Sequence, residues 1–174
     1  MHQGLELQNQ VQQYRQNKMV ENNPIKDKEV ARSVGLNVAV STKDSIEIAD
    51  FIRRRNLGTV KKLLERVLLK HVAVPMKQFN KDTGHRPGIG PGRYPIKAVK
   101  EFLMLLESAE ANARFKNMDV SNLYVANVHA NKGSRRFKGG RQRRRLNKST
   151  NLEVILKVKE RKNDREKVRS TETK

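Results

Sequence analysis

The sequence predicts an α+β domain in which three helices pack on a small three-stranded antiparallel sheet, with a long basic β-hairpin extension. Three observations support this prediction. One strand pattern of alternating apolar residues precedes three helical patterns, and two more strand patterns follow them. A basic stretch with Gly139-Gly140 near its middle separates the last two strands, as in a hairpin. The 174 residues suffice for one compact domain with extensions.

Composition divides the chain into three parts. Residues 1–30 form a polar, Gln- and Asn-rich N-terminal extension, residues 31–160 form the domain with its hairpin at 131–149, and residues 161–174 form a charged C-terminal tail. Neither end has enough apolar residues for a core, so we expect both to be flexible in isolation. A short helix over Leu5–Val11 is an alternative for the first part.

The first strand is predicted to lie between Ser33 and Val40. Its larger apolar residues alternate with small or polar ones, which predicts one buried face. The residues expected to face the core are Val34, Leu36, Val38 and Val40.

The first helix is predicted from about Thr42 to Arg55. Ser41 is its expected N-cap, because a Ser hydroxyl can accept a hydrogen bond from the first turn. Gly58 is expected to end this helix and Thr59 to start the next, since Gly is common just after helix C-termini.

The second helix has the clearest period in the chain. Its predicted buried residues are Val60, Leu63, Leu64, Val67 and Leu68. A basic loop is predicted from Met76 to Arg93, and the third helix then runs from Pro95, in its first turn, to about Lys116. Its expected buried residues are Ile96, Val99, Phe102 or Leu103, Leu106, Ala109 and Ala113. An acidic surface on its opposite face would hold Glu101, Glu107 and Glu110.

Two strands, Leu123–Ala130 and Leu152–Val158, complete the predicted sheet. The residues expected to face inward on the earlier strand are Tyr124, Ala126, Val128 and Ala130. Those on the later strand are Leu152, Val154, Leu156 and Val158. Each arm of the hairpin between them, with roughly eight to ten residues, would reach on the order of 25–35 Å.

The net charge of +20 predicts a partner dense in negative charge. The excess is localised, because residues 31–99 hold 14 Lys and Arg against 5 Asp and Glu, and residues 132–149 hold 9 against none. Cations so close together repel one another, and an isolated two-stranded ribbon is marginal in water. We therefore expect the hairpin to be mobile in the free protein and ordered against a polyanion.

Several classes of protein are excluded or disfavoured. With no Cys, the chain has no disulfide and no thiolate metal site. No apolar run is long enough to cross a membrane, and we see no signal or transit pattern, so a cytoplasmic setting is expected. The four His are scattered, and no nucleophile elbow or Walker loop is present, so no metal, cofactor or enzymatic activity is predicted.

Two surfaces outside the hairpin are candidates for nucleic-acid binding. The loop Gly84–Arg93 has glycines that allow close approach to phosphate, although a plain surface turn is the alternative. A nucleotide-binding loop is disfavoured, because no strand precedes it and the glycine spacing is wrong. Arg53–Arg55 complement a helix dipole, and with Lys61 and Lys62 they also make a basic patch.

Four stretches carry a family resemblance. They are ARSVGLNVAVSTKD at Ala31–Asp44, VPMKQFNKDTGHRPGIGPGRYPIKA at Val74–Ala98, LLESAEANARFKNMD at Leu105–Asp119, and the strand–hairpin–strand unit at Leu123–Val158. Together they resemble the L-twenty-two family of large-subunit ribosomal proteins (L-seventeen in the older eukaryotic naming), in its archaeal or eukaryotic form. The G-H-R-x-G-x-G-P-G-R-Y-P loop is the most specific item.

This resemblance implies a structural constituent of the large ribosomal subunit that supports translation and subunit assembly. Its partners would be large-subunit rRNA, neighbouring ribosomal proteins and, transiently, the nascent polypeptide, with no membrane and no homo-oligomer. The family's hairpin lines the nascent-chain exit tunnel, so the tip residues expected to face the tunnel are Phe137, Lys138, Gly139, Gly140, Arg141 and Gln142. The hairpin departs from common family versions: it is a few residues shorter, and its tip has Gly139-Gly140 where Arg- and Pro-containing tips are frequent.

Charge and resemblance together give the expected rRNA-binding residues. They are Arg32, Lys43, Arg53, Arg54, Arg55, Lys61, Lys62, Lys77, Lys81, His85, Arg86, Arg93, Lys97, Lys132, Arg135, Arg136, Arg143, Arg144, Arg145 and Lys148. A non-ribosomal basic RNA- or DNA-binding architectural or chaperone protein is the alternative function. A separate alternative for the basic stretch is an unstructured arm of the nuclear-localisation or chromatin type, although strands on both sides argue against that.

Overall fold

The computed structural model of the protein describes residues 30–159, so the expectations for residues 1–29 and 160–174 lie outside the described residues. The strands are β1 (Val30–Val38), β2 (Val74–Pro75), β3 (His85–Arg86), β4 (Gly90–Arg93), β5 (Leu123–Lys132) and β6 (Thr150–Val158). The helices are α1 (Thr42–Ile52), α2 (Leu57–Leu68) and α3 (Ile96–Phe115). Short 3-10 turns occur at Val120–Asn122 and Gly140–Gln142.

The predicted α+β fold is confirmed. The main sheet has the order β1-β6-β5 with both pairs antiparallel, and α3 packs across β1 and β6 while α1 packs on β5. The core between helices and sheet holds fully buried side chains, the largest being Phe102, Ile48 and Ile52. Burying each such side chain contributes roughly 1.5–3 kcal/mol, which makes this layer the main source of stability.

The inward face of β1 is opposite to the one predicted. Ala31 and Ser33 are buried, whereas Val34 and Leu36 are 43% and 71% exposed. Helix α3 lies close to this strand, because a Cβ added at Gly35 would be 3.3 Å from a Leu105 methyl carbon. Small residues therefore face the helix and the large ones point outward, a reversal that alternation alone cannot predict.

Each outer strand of the main sheet has one pairing irregularity, and it changes which residues face the core. The pairing of β1 shifts between Gly35 and Val38, after which Val40 is buried as predicted and Val38 partly so. In β5 the pairing shifts between Val125 and Asn127. The buried residues of β5 are consequently Leu123, Val125 and Val128, so the predicted inward position is right for Val128 and wrong for Tyr124 and Ala126. Ala130 is partly buried against the core.

The later strand, β6, matches its prediction. Leu152, Val154 and Leu156 are fully buried, and Val158 packs against the core at the edge. As the central strand, β6 has neighbours on both sides, and its alternation has no bulge to interrupt it.

The first helix is shorter than predicted. It ends at Ile52, and the backbone of Arg54 has a left-handed φ of 64°. The turn after α1 is hydrogen-bonded to β5: Arg54 N–H donates to the Val125 carbonyl (2.8 Å), and Val125 N–H donates to the Arg55 carbonyl (2.9 Å). Gly58 lies in the first turn of α2, so the prediction that it ends the first helix is wrong.

The buried stripes of α2 and α3 follow their predictions. Val60, Leu64 and Val67 are fully buried in α2, with Leu63 and Leu68 partly exposed. In α3 the buried residues are Ala98, Val99, Phe102, Leu106, Ala109 and Ala113. The prediction is wrong for Ile96, which is only partly buried, and it missed Ala98. Pro95 precedes α3 and does not lie in its first turn. Glu110 faces α2, so it is not part of an acidic surface on the far side.

A second, small sheet was not predicted. It has the order β2-β4-β3 and lies within the segment expected to be a basic loop. Its connecting turn has Ile89 N–H donating to the Arg86 carbonyl (3.1 Å), with Pro87 followed by Gly88 at a φ of 73°. That pattern matches a type II turn, which requires a residue such as Gly at its third position.

Candidate nucleic-acid interface

The basic hairpin continues the β5–β6 pairing beyond the sheet. Past the Lys132–Thr150 pair, Asn147 N–H donates to the Arg136 carbonyl (2.8 Å) and Lys138 N–H donates to the Arg145 carbonyl (2.9 Å). An isolated bridge joins Phe137 to Leu146, and the turn at the tip has Gly140 at a φ of 63°. The predicted hairpin is therefore present, with its arms joined by a few backbone hydrogen bonds.

Every residue from 134 to 148 is exposed, including all the cations of this segment. The segment has no Asp or Glu, and the ion pairs found within residues 30–159 involve no hairpin residue. The guanidinium and ammonium groups of the hairpin thus face solvent with no carboxylate against them. This concentration of positive charge suits a polyanion that approaches from outside.

A polar cluster fixes the root of the hairpin to the domain. The Asn37 side-chain carbonyl accepts from Ser134 N–H (3.0 Å) and from the Ser149 hydroxyl (3.1 Å), while Asn37 N–H donates to the Asn151 side chain (2.8 Å). A Cβ at Gly133 would lie 2.5 Å from the Ser149 hydroxyl oxygen, so any side chain there would displace the Ser149 and Asn37 groups of the cluster. Sequence reasoning missed this cluster, which sets the direction in which the hairpin leaves the sheet.

A buried carboxylate organises the loop after β2. Glu47 on α1 is 2% exposed and accepts backbone N–H groups of three successive residues, at 2.9, 2.8 and 2.6 Å, namely Lys77, Gln78 and Phe79. Successive N–H groups around one anion form a nest. The nest holds the loop that carries Lys77 and leads to Lys81, both exposed. Nothing in the sequence pattern pointed to Glu47.

Several predicted cations of α1 and the following turn also contact the domain itself. Arg53 donates from its guanidinium to the Val128 carbonyl (3.1 Å), and the Arg55 guanidinium lies 4.9 Å from the Phe51 ring centroid. The Lys43 ammonium lies 5.8 Å from the Phe79 ring centroid. These three side chains remain exposed, so their contacts orient the charges without neutralising them.

Two predicted cations have carboxylate partners. Arg32 on β1 pairs with Glu153 on β6 (2.6 Å), and Lys61 on α2 pairs with Glu110 on α3. Arg114 adds a second contact to Glu110 (2.5 Å). The hydrogen bond from Lys61, followed by that from Arg114, keeps the pKa of Glu110 below its ordinary value despite partial burial. Lys61 is the one predicted rRNA-binding residue that is not fully exposed.

The remaining predicted residues fall into separate groups. Arg86 and Arg93 of the small sheet line one cavity, and the exposed His85 lies beside Arg86 on β3. Arg53 and Lys77 line a second cavity, of about 200 Å³, between α1, the loop after β2 and β5. Arg54, Lys62 and Lys97 are exposed on the helices or the turn between them. Arg32 lies apart, on the outer side of β1.

The described residues offer binding groups but few groups for chemistry. Among residues 30–159 no cluster of three or more His, Asp or Glu could hold a metal ion. No helix in this part of the chain is long and apolar enough to span a membrane. The arrangement can hold phosphates by charge and by hydrogen bonds.

An α+β domain that projects a paired, acid-free cationic hairpin and adds further cationic loops is the kind of protein found in ribosomes. The sequence model of the family described as ribosomal protein L22p/L17e matches residues 33–157. The chain belongs to this family, and it is a ribosomal protein. The family resemblance of the four sequence stretches is thereby confirmed.

Curated archaeal relatives support the same assignment, and each is named large ribosomal subunit protein uL22. The protein of Thermoplasma acidophilum is 44% identical over 94 residues, which are 54% of this chain and 62% of that relative. That of Methanoculleus marisnigri is 36% identical over 140 residues, 76% of this chain and 92% of the relative. That of Archaeoglobus fulgidus is 34% identical over 146 residues, 78% and 93%.

Proposed function

We propose that this chain is a structural component of the large ribosomal subunit, where its hairpin and loops bind rRNA and its hairpin tip lines the nascent-polypeptide exit tunnel. The observation that carries the proposal is the hairpin of residues 132–149, which has nine exposed cations and no Asp or Glu, and whose root is held to the domain by hydrogen bonds to Asn37. Such an element lacks a core of its own, so surrounding nucleotides would supply both its counter-charge and its packing.

Phosphate contacts explain the choice of residues. Each phosphate that Lys or Arg neutralises releases condensed counterions, which makes binding strong and salt-dependent. Arg adds two parallel hydrogen bonds to a phosphate and stacks on exposed bases, and most hairpin cations are Arg. The hairpin would therefore be held by the shape and backbone of rRNA.

The remaining parts of the proposal follow from the ribosomal assignment. The protein would act in the cytoplasm, without enzymatic activity of its own, among neighbouring large-subunit proteins. The tip, Phe137–Gln142, would meet the nascent polypeptide transiently. Assembly would place one copy in each subunit, with no homo-oligomer.

A hairpin-deleted chain tests the proposal. In that variant, residues 134–148 are replaced by a two-residue turn, which leaves the buried core of the sheet and helices intact. The native chain should co-sediment with the large subunit on a sucrose gradient at moderate salt, and the deleted chain should fold but be released at lower salt. A native chain found away from ribosomes, or bound equally to duplex DNA, would favour a free-standing nucleic-acid chaperone and overturn the proposal.

A further inference from the structure

A cavity of about 730 Å³ lies beside β4 and the start of α3, outside the hairpin. Its lining includes the cations Lys70, Arg86 and Arg93, the aromatic ring of Tyr94 and a single carboxylate, Asp44. A volume of this size is typical of sites that enclose one small organic group.

The cavity contains a preformed stacking platform. The Arg86 guanidinium lies 5.4 Å from the centroid of the Tyr94 ring. Gly92 makes this possible, because a Cβ there would lie 3.0 Å from the Arg86 side chain and 3.1 Å from Ala73 Cβ. The absence of a side chain at Gly92 therefore leaves room for the aliphatic part of Arg86 to cross β4 and reach Tyr94.

We propose that this cavity takes one unstacked nucleotide of rRNA, with its base on the Arg86–Tyr94 platform and its phosphate held by Lys70 and Arg93. Proteins read single-stranded RNA in this way, with bases stacked on aromatic rings and guanidinium planes. Asp44 disfavours phosphate on its side of the cavity and accepts N–H groups of a base. This assignment presupposes the rRNA binding proposed above and specifies one contact within it.

Titration of the isotope-labelled full-length chain with ribonucleoside 5′-monophosphates tests the base contact. Ribose 5-phosphate is the matched probe, since it carries the same phosphate without a base. The monophosphates should shift the NMR signals of the Tyr94 ring and bind more tightly than ribose 5-phosphate. Equal binding of both probes would mean a phosphate contact only and would overturn the proposal.

Three variants separate stacking from charge. Tyr94→Leu keeps an apolar side chain but removes the aromatic ring. Arg86→Lys keeps the positive charge but removes the planar guanidinium group. Each variant should weaken nucleotide binding about tenfold. Arg66→Lys is the control, because Arg66 is exposed on α2 and does not line the cavity. Circular dichroism checks that each variant is folded. If Tyr94→Leu is unfolded, the nucleotide affinity of Arg86→Lys is the test, and an affinity equal to that of the native chain would contradict the proposal.

Cross-linking in intact subunits distinguishes failure of this inference from failure of the proposed function. Purified large subunits are irradiated with short-wavelength ultraviolet light, and the peptides joined to rRNA are mapped. A cross-link at Tyr94 is expected. Cross-links in the hairpin but none between residues 84 and 96 would overturn the nucleotide site alone, whereas no cross-link anywhere in the chain would overturn rRNA binding as well.

Discussion

At the scale of single residues, the charged groups inside the domain organise the ones outside it. Glu47 holds a loop by three backbone N–H groups, and Glu110 joins α2 to α3 through Lys61. Glu47 is buried and Glu110 is partly buried, in a chain with a large positive excess. Their effect is therefore on stability and on the placement of cations.

Replacing Glu47 with Gln should lower the free energy of unfolding by about 2–3 kcal/mol. The amide cannot accept from all three N–H groups, and one of its own donors would face Lys77 N–H. Urea denaturation measures the change. Glu107→Gln is the control, because Glu107 is exposed on α3, and equal stability of the two variants would contradict the role given to Glu47.

Glu110 predicts a pH dependence of stability. Its pKa in the folded chain lies below the ordinary 4.5, chiefly through the hydrogen bond from Lys61. A lowered folded pKa means that the stabilisation is complete above the unfolded pKa and is lost as pH falls through the folded one. The pair is partly exposed, so its contribution is below about 1 kcal/mol.

The measurement compares unfolding of the native chain and of Glu110→Gln at a series of pH values. The stability difference between them should be present near neutral pH and should shrink as the solution is acidified below 4.5. A difference that is constant with pH would show that Glu110 acts by packing and not by charge.

At the scale of elements, the hairpin depends on its root more than on its tip. The root is crowded and polar, with Asn37 bonded to both arms, whereas the tip at Gly139 and Gly140 has open space around it. The bulges of β1 and β5 lie in the same sheet and adjust which residues meet the helices. Because the root is crowded and the tip is open, we expect a substitution at Gly133 to destabilise the protein and one at Gly139 to have little effect.

Gly133→Ala should destabilise the root, while Gly139→Ala should not. The added Cβ at Gly133 would lie 2.5 Å from the Ser149 hydroxyl and 2.9 Å from the Asn37 side chain, whereas at Gly139 nothing lies within 4 Å. Overpacking of this kind costs about 1–3 kcal/mol. Thermal unfolding should show a lower melting temperature for Gly133→Ala only, and equal melting of both variants would contradict the described root.

The arginines of the second arm should set the salt dependence of rRNA binding. Replacing Arg143, Arg144 and Arg145 with Gln should reduce the slope of log affinity against log salt by about 2–3, because each lost phosphate contact removes about 0.7–0.9. The control replaces three exposed cations outside the predicted site, Arg66, Lys100 and Lys157. Equal slopes for both triple variants would place the rRNA contacts elsewhere.

At the scale of the whole molecule, the sequence predicted what depends on periodic pattern and missed what depends on close approach. The stripes of α2, α3 and β6 followed from period alone. The inward positions predicted for Val34 and Leu36 were wrong because α3 packs against the side of β1 that carries Gly35. Those predicted for Tyr124 and Ala126 were wrong because a bulge after Val125 shifts the alternation of β5. The nest around Glu47 and the Asn37 cluster join residues distant in sequence, which a single chain without its fold does not bring together.

For the candidate nucleic-acid interface, too, the sequence predicted where the cations lie but not which residues they contact within the domain. Basic composition located the hairpin and the loop after β2, and all but Lys61 of the predicted contact residues are exposed. Composition could not predict that Arg32 and Lys61 have carboxylate partners, or that Gly92 makes room for Arg86. Gly88 shapes a turn and Gly92 makes room for the Arg86 side chain, while phosphate contact at this loop stays a prediction.

The charge distribution of the whole molecule leads to a last prediction, on hydrogen exchange. Backbone amides between residues 134 and 148 should exchange quickly in the free chain, because few hydrogen bonds and mutual repulsion leave the hairpin weakly held. In assembled large subunits the same amides should exchange far more slowly, since rRNA would supply counter-charge and exclude water. Amides of Val154 and Leu156, in the buried centre of β6, serve as the internal control and should be protected in both states. A free chain whose hairpin is already as protected as β6 would mean that the ribbon is stable alone, and nucleotides would then not be what orders it.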